Sequence, residues 1–226
     1  NANKKTSNGK PPIFISPVDD IQNVDHKIHI ASAQIKSAVM LAGLYGRDSF
    51  TITTPKSRDH TEIMLNEFGC NITLESDSIN VIPGKLTSPN TIDIPGDISS
   101  AAFFIVGSII SKDSQVKIEN VGLNPLRTGF IEILKMMGAS IEISDLKIVN
   151  GEVVGNIDAE SSSLEGITIP KELIASSIDE IPLIILAASQ AEGKTSLRNA
   201  EELLFKESDR ISSMVKICLL YTYPSP

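Results

Sequence analysis

The chain has 226 residues, 41% hydrophobic and 21% charged, enough for one large or two small globular domains with a sizeable core, which excludes disorder along its whole length. Its 20 Lys+Arg against 28 Asp+Glu give a formal net charge of -8, the wrong sign for a protein built on a nucleic-acid backbone, although a few local cations can still draw a small anion into a cleft. Two distant cysteines, Cys70 and Cys218, and three scattered histidines, His26, His29 and His60, fit neither a disulfide framework nor a metal pattern.

A reducing compartment and no structural metal are therefore expected. The longest apolar runs, Ala101–Ile110 and Ile181–Ala188, fall short of the ~20 residues of a membrane span. The start carries no charged-then-apolar leader, so the expected location is cytoplasmic.

In chain order, Asn1–Pro12 is polar with a Pro-Pro pair and reads as loop or disordered terminus. Ile13–Ile15 and Ile28–Ile30 are short alternating strand candidates. Ser32–Leu44 has helical periodicity with Ser32 as N-cap. Phe50–Thr53 reads as a strand, Asp59–Glu62 has capping-box spacing, and Ile63–Phe68 is a helix stopped by Gly69. Strands at Asn71–Leu74 and Ser78–Ile82 follow.

The same order then recurs. Ser99–Ile110 is a helix apolar enough to require burial nearly all round, and Gln115–Glu119 is a strand. Asn124-Pro125 opens a helix that stops at Gly138, and strands at 140–143 and 146–149 close the unit. Arg58 stands eleven residues before Gly69, and Arg127 eleven before Gly138. A third pass begins at Ile178–Ala188, continues through a strand at Thr195–Arg198 and enters another helix near Ser208. Repeated β/α units ending in paired strands predict an α/β fold with layered helices and mixed sheets. A hinge is expected at Ile92–Asp97, where Pro95-Gly96 interrupts the pattern; it divides 13–94 from 95–215. The aromatic-rich tail 216–226 reads unlike the rest.

Three segments gather polar groups at helix beginnings, where free N–H groups and the dipole favour anions: Ser32–Gln34, Ser57–His60 and Lys206–Arg210. Each also has a purely structural explanation. Ser32 can cap a helix, Arg58 can pair with a surface carboxylate, and Lys206 and Arg210 can be a solvated i,i+4 pair. Asp59, Glu62 and Asp209 fit caps or surface charges, and Cys70 fits a small core residue. His60 fits a partner of the capping turn, and Arg127 a structural position.

Six ordered motifs carry a resemblance to a known family: Ala31-Ser-Ala-Gln-Ile-Lys-Ser37, Ser57-Arg-Asp-His-Thr-Glu62, Pro95-Gly-Asp-Ile-Ser-Ser100, Asn124-Pro-Leu-Arg-Thr-Gly129, Ile178-Asp-Glu-Ile-Pro182 and Lys206-Glu-Ser-Asp-Arg210. From about Pro11 to Met214 the chain resembles 3-phosphoshikimate 1-carboxyvinyltransferase, or EPSP synthase, in the subgroup that has Ser-Ala-Gln at its first motif here. The resemblance implies an inside-out α/β barrel of buried parallel helices and mixed sheets, present as two partial domains. It implies transfer of the carboxyvinyl group of phosphoenolpyruvate to the 5-hydroxyl of shikimate 3-phosphate, with release of phosphate and without metal or organic cofactor. The implied partners are those two small molecules, with no nucleic acid, no membrane, and a monomer at full length.

The implied shikimate 3-phosphate ligands are Ser32, Ala33, Gln34, Arg58, Asp179 and Lys206. Gln34 and Arg210 are implied for phosphoenolpyruvate. Asp179 would be the base for the attacking hydroxyl, and Glu207 the acid/base for the methylene proton. Such residue types suit the chemistry, because addition and elimination need two carboxylates in different protonation states and cations to offset two polyanions.

The family's Pro-Gly-x-Lys-Ser and Gly-Asn-Ala-Gly-Thr motifs have no counterpart before Ser32, nor has its Asp-His-Arg segment after Arg210. The chain thus resembles about the middle half of the enzyme and is expected to be inactive alone, with residues after about Val215 outside the family pattern. Two other readings remain: a shikimate-phosphate-binding or interaction module without catalysis, and a relative of UDP-N-acetylglucosamine carboxyvinyltransferase. The Lys-Glu-Ser-Asp-Arg and Ser-Ala-Gln-Ile-Lys segments and the lack of a Pro-Cys loop argue against the latter.

Overall fold

A computed structural model describes residues 16–18, 21–22, 24–205 and 208–222; the readings for 1–12 and 13–15 lie outside them. The chain forms two compact units, one of Asn1–Lys56 and Leu65–Ser88, the other of Ser57–Met64 and Pro89–Pro226. A single cut at 94/95 does not describe this division. The change falls at 88/89, and 57–64 belongs with the second unit.

The first unit contains β1 (His26–Lys27), α1 (Ala33–Gly43), β2 (Phe50–Thr53), β3 (Asn71–Leu74) and β4 (Ser78–Ile82), with α2 (His60–Glu67) divided between the units. Its sheet has the order β1-β2-β4-β3, with β1 parallel to β2 and the other pairs antiparallel. Period-2 alternation turns Phe50 and Ile52 to the same face, opposite Val81 and Ile79. These four pack with Met40, Leu65 and Cys70 into a small core. The strand expected at 28–30 instead pairs at His26–Lys27, and Ile28 only donates its N–H to the Thr53 carbonyl at 2.8 Å.

The second unit contains α3 (Ile98–Ile110), β5 (Gln115–Gly122), α4 (Gly129–Met136), β6 (Ser140–Val149), β7 (Glu152–Glu160), α5 (Ile174–Ser177), α6 (Ile181–Ala188) and α7 (Arg210–Thr222). Its sheet is antiparallel in the order β5-β7-β6. The path β5-α4-β6-β7 therefore repeats β2-α2-β3-β4, and in both sheets the last strand pairs between the first two. Gly69 and Gly138 end the equivalent helices at φ +79° and +96°, a left-handed conformation that side chains disfavour. One large core joins α3, α4, α6 and the sheet through Ile105, Ile109, Phe130, Leu134, Ile157, Ile181 and Ile184. Burying each such side chain fully contributes about 1.5–3 kcal/mol.

In several places the folded chain departs from the sequence expectations. Helix α3 is not buried all round, because Phe103 and Phe104 each keep 66% exposure. Pro125 lies in a turn rather than in a helix, because the Asn124 side-chain oxygen accepts the Leu126 N–H at 2.8 Å and delays α4 to Gly129. The strands at 140–143 and 146–149 are one strand, β6, with a register shift between Ser144 and Lys147 where Asp145 has φ +51°. Thr195–Arg198 forms no strand, only an isolated bridge from Ser196 to Thr168. The central strand β7 escaped the sequence reading, although Asn150-Gly151 before it is a strong hairpin signal.

Candidate functional site

The N-terminal turn of α1 is built by Ser32, whose Oγ accepts the Ile35 N–H at 3.3 Å as expected of an N-cap. Ala33 is half-buried beside it and Gln34 is exposed. All three belong to the first unit.

Three of the other expected site residues meet within the second unit. Arg58 lies in the extended segment before α2, Asp179 in the turn between α5 and α6, and Arg210 at the first position of α7. Arg58 Nη2 stands 2.9 Å from Asp179 Oδ2, and Arg210 Nη1 donates to Asp179 Oδ1 at 3.2 Å. Two guanidinium groups thus hold the two oxygens of one partly exposed carboxylate. Asp209 caps the adjacent α7, accepting the Ser212 N–H at 2.9 Å and the Ser212 hydroxyl at 2.6 Å. Those two bonds hold its carboxyl below the usual range. Lys206 and Glu207 lie outside the described residues.

The position of Arg58 depends on its neighbours in sequence. The Asp59 carboxylate is tied to a distant segment of the same unit: its Oδ1 accepts from Asn124 Nδ2 at 2.7 Å. The same amide also donates to Glu152 Oε2 at 3.3 Å, and the other oxygen of Glu152 pairs with His60 Nδ1. Residues 59 and 60 are therefore pinned to the β5–α4 turn and to the start of β7. Glu62, expected as a cap or surface charge, is instead only 1% exposed.

A second ionic cluster adjoins Asp179. Asp97 caps α3, accepting the Ser99 and Ser100 N–H groups at 3.3 and 3.0 Å and the Ser100 hydroxyl at 2.8 Å. Arg127 Nη2 donates to Ser99 Oγ at 2.5 Å and stands 3.7 Å from Asp97 and 3.9 Å from Glu180. The Ser99 hydroxyl in turn donates to Glu180 Oε1. Burial pushes the Glu180 carboxyl up, and this outweighs the opposing bond from Ser99 and the Arg127 charge. For Asp97, burial also acts upward, but the Ser100 and Ser99 bonds and the Arg127 charge overcome it and hold the group low.

Neither Ser99 nor Glu180 was singled out from the sequence, though both stand inside the recurring motifs, each at a helix start. Cys70 is a buried core residue whose thiol burial pushes up. Among the described residues no group of three or more His, Cys, Asp or Glu could hold a metal ion, and no helix is long and apolar enough to cross a membrane.

A family model described as EPSP synthase (3-phosphoshikimate 1-carboxyvinyltransferase) matches residues 1–217. A 3-phosphoshikimate 1-carboxyvinyltransferase of Hydrogenovibrio crunogenus is 46% identical over 215 residues, covering 91% of this chain and 48% of that protein. The solved EPSP synthase of Acinetobacter baumannii is similar with a TM-score of 0.84 and 42% identity, over 94% of this chain and 48% of that one. The enolpyruvyl transferase NikO of Streptomyces tendae shares the fold alone, at a TM-score of 0.59 and 13% identity over 79% of this chain and 44% of that one. The chain spans about half the length of the curated relatives it matches.

Proposed function

The chain belongs to the EPSP synthase family, and from that premise we propose that it forms part of an enzyme that transfers the carboxyvinyl group of phosphoenolpyruvate to the 5-hydroxyl of shikimate 3-phosphate. The observation that carries this reading is the convergence of Arg58 and Arg210 on Asp179. A guanidinium in that arrangement can exchange one carboxylate oxygen for a phosphate oxygen with the same planar geometry. Asp179 then stands where it can receive the hydroxyl proton as the oxygen attacks C2 of phosphoenolpyruvate. Glu207 adds the proton to the methylene carbon and takes one back as phosphate leaves. Ser32, Ala33, Gln34 and Lys206 complete the shikimate 3-phosphate contacts, and Gln34 and Arg210 serve phosphoenolpyruvate.

Because the chain covers 48% of its relative, the complete reaction is tested in a chimera. Residues 1–217 replace the matched half of the Hydrogenovibrio crunogenus protein, and phosphate release from the two substrates is followed. Turnover is expected in the chimera and its loss on Asp179→Asn, whereas the 226-residue chain alone is expected to bind shikimate 3-phosphate without turnover. A well-folded chimera with no phosphate release would overturn the proposal.

A further inference from the structure

Asp179 and Glu180 are neighbours in one turn, yet their side chains go opposite ways. Asp179 reaches Arg58 and Arg210 with its side chain 23% exposed, and Glu180 turns inward to 3%. The inward carboxylate accepts the Ser99 hydroxyl from the first turn of α3, and Ser99 accepts Arg127, which stands just before α4. Three helix N-termini, those of α3, α4 and α6, thus meet at one relay that ends on the buried Glu180. The Glu180 main chain is held as well: its N–H donates to the Ser177 carbonyl at 2.9 Å, and its carbonyl heads α6 by accepting Ile184 at 3.0 Å.

We infer that Glu180 is a positioning residue: tethered through Ser99 and Arg127, it sets the turn that aims Asp179 between Arg58 and Arg210. A carboxylate this deeply buried costs stability, and a core this apolar around α6 would pack well around a Leu or Met. A turn free to swivel by one rotamer would break the paired contacts of Asp179 with both arginines, since the second arginine stands on a different element from the first. The tether removes that freedom before any substrate arrives.

This inference rests on the reading of Asp179 as a substrate ligand, so the test has one arm that involves no substrate. In the 226-residue chain, the side-chain Nε–H signals of Arg58 and Arg210 are followed by NMR in the wild type, Asp179→Asn, Glu180→Ala and Glu180→Gln. Glu180→Ala is expected to move both signals toward their Asp179→Asn positions. Glu180→Gln, which can still accept the Ser99 hydroxyl, is expected to keep them near the wild type. In the second arm, calorimetric titration with shikimate 3-phosphate is expected to show roughly tenfold weaker binding for Glu180→Ala and rescue by Glu180→Gln.

Unmoved arginine signals in Glu180→Ala would overturn the positioning role, and so would equal losses of affinity in the Ala and Gln variants. Failure of the wild type to bind shikimate 3-phosphate would sink the substrate reading while leaving the first arm to decide on Glu180. If Glu180→Ala does not fold, Ser99→Ala breaks the same tether on a half-buried residue and is judged by the same signals.

Discussion

Asp97 and Glu180 share the charge of Arg127 but sit on opposite sides of the ordinary carboxylate range. The difference is burial, since Asp97 is half-exposed at a helix N-terminus and Glu180 is enclosed. Their linkage to stability therefore has opposite signs. Glu180, raised in the folded state, holds its proton there more tightly than in the unfolded chain. Its contribution is full below the unfolded value of about 4.3 and is lost as pH rises through its raised folded value. Asp97, lowered in the folded state, contributes above about 3.9 and loses that contribution as pH falls through its folded value. Urea unfolding at stepped pH is expected to show that Glu180→Gln flattens the decline above about 4.3, and that Asp97→Asn flattens the decline on the acid side. Superimposable profiles for the wild type and Glu180→Gln would contradict the assignment.

At the scale of elements, the two repeats offer a built-in comparison. Gly69 and Gly138 end equivalent helices with positive φ, but a Cβ on Gly138 would also meet the Ser163 carbonyl oxygen at 3.1 Å, while a Cβ on Gly69 meets nothing within 4 Å. Both Gly→Ala changes are expected to destabilise, Gly69→Ala by about 1 kcal/mol from backbone strain and Gly138→Ala by more. Equal midpoints in denaturant, at unchanged m-values, would show that the carbonyl contact relaxes freely.

Helix α2 provides a second case, because side chains from distant segments hold the residues at its start. Asn124→Ala removes the donor shared by Asp59 and Glu152 and is expected to cost about 1–3 kcal/mol. It should also weaken shikimate 3-phosphate binding, since Arg58 precedes the pinned residues. A stability loss with unaltered affinity would separate the pin from the site.

Over the whole molecule, the two units differ in how much apolar surface they bury. Among the described residues the first has a core of eight buried residues around Phe50 and Ile52, and the second has a larger core that runs through three helices and a sheet. Smaller buried area implies easier opening, so amides of β2 and β4 are expected to exchange with solvent faster than those of β5 and β7. Uniform protection across both sheets would mean that the units unfold together.

Much of this molecule was legible in the residues themselves. Phe50–Thr53, Asn71–Leu74 and Ser78–Ile82 alternate clearly, Ser32 announces its helix, and the glycine stops reveal the repeat, because these features depend on local sterics and period. The candidate site residues came from the resemblance that the six motifs carry. What local pattern could not carry was any contact between residues distant in sequence. Asn124 takes its turn from its own side chain but donates to Asp59 and Glu152 across the fold, and that choice sets where residues 59 and 60 dock. Glu180 reads as one more acidic residue before a helix until α3 and α4 bring Ser99 and Arg127 to it. Sequence alone thus determined most of the elements and the repeat. Tertiary structure decided which charge faces which, because pairing energies depend on distance and burial, and both exist only once the chain has folded.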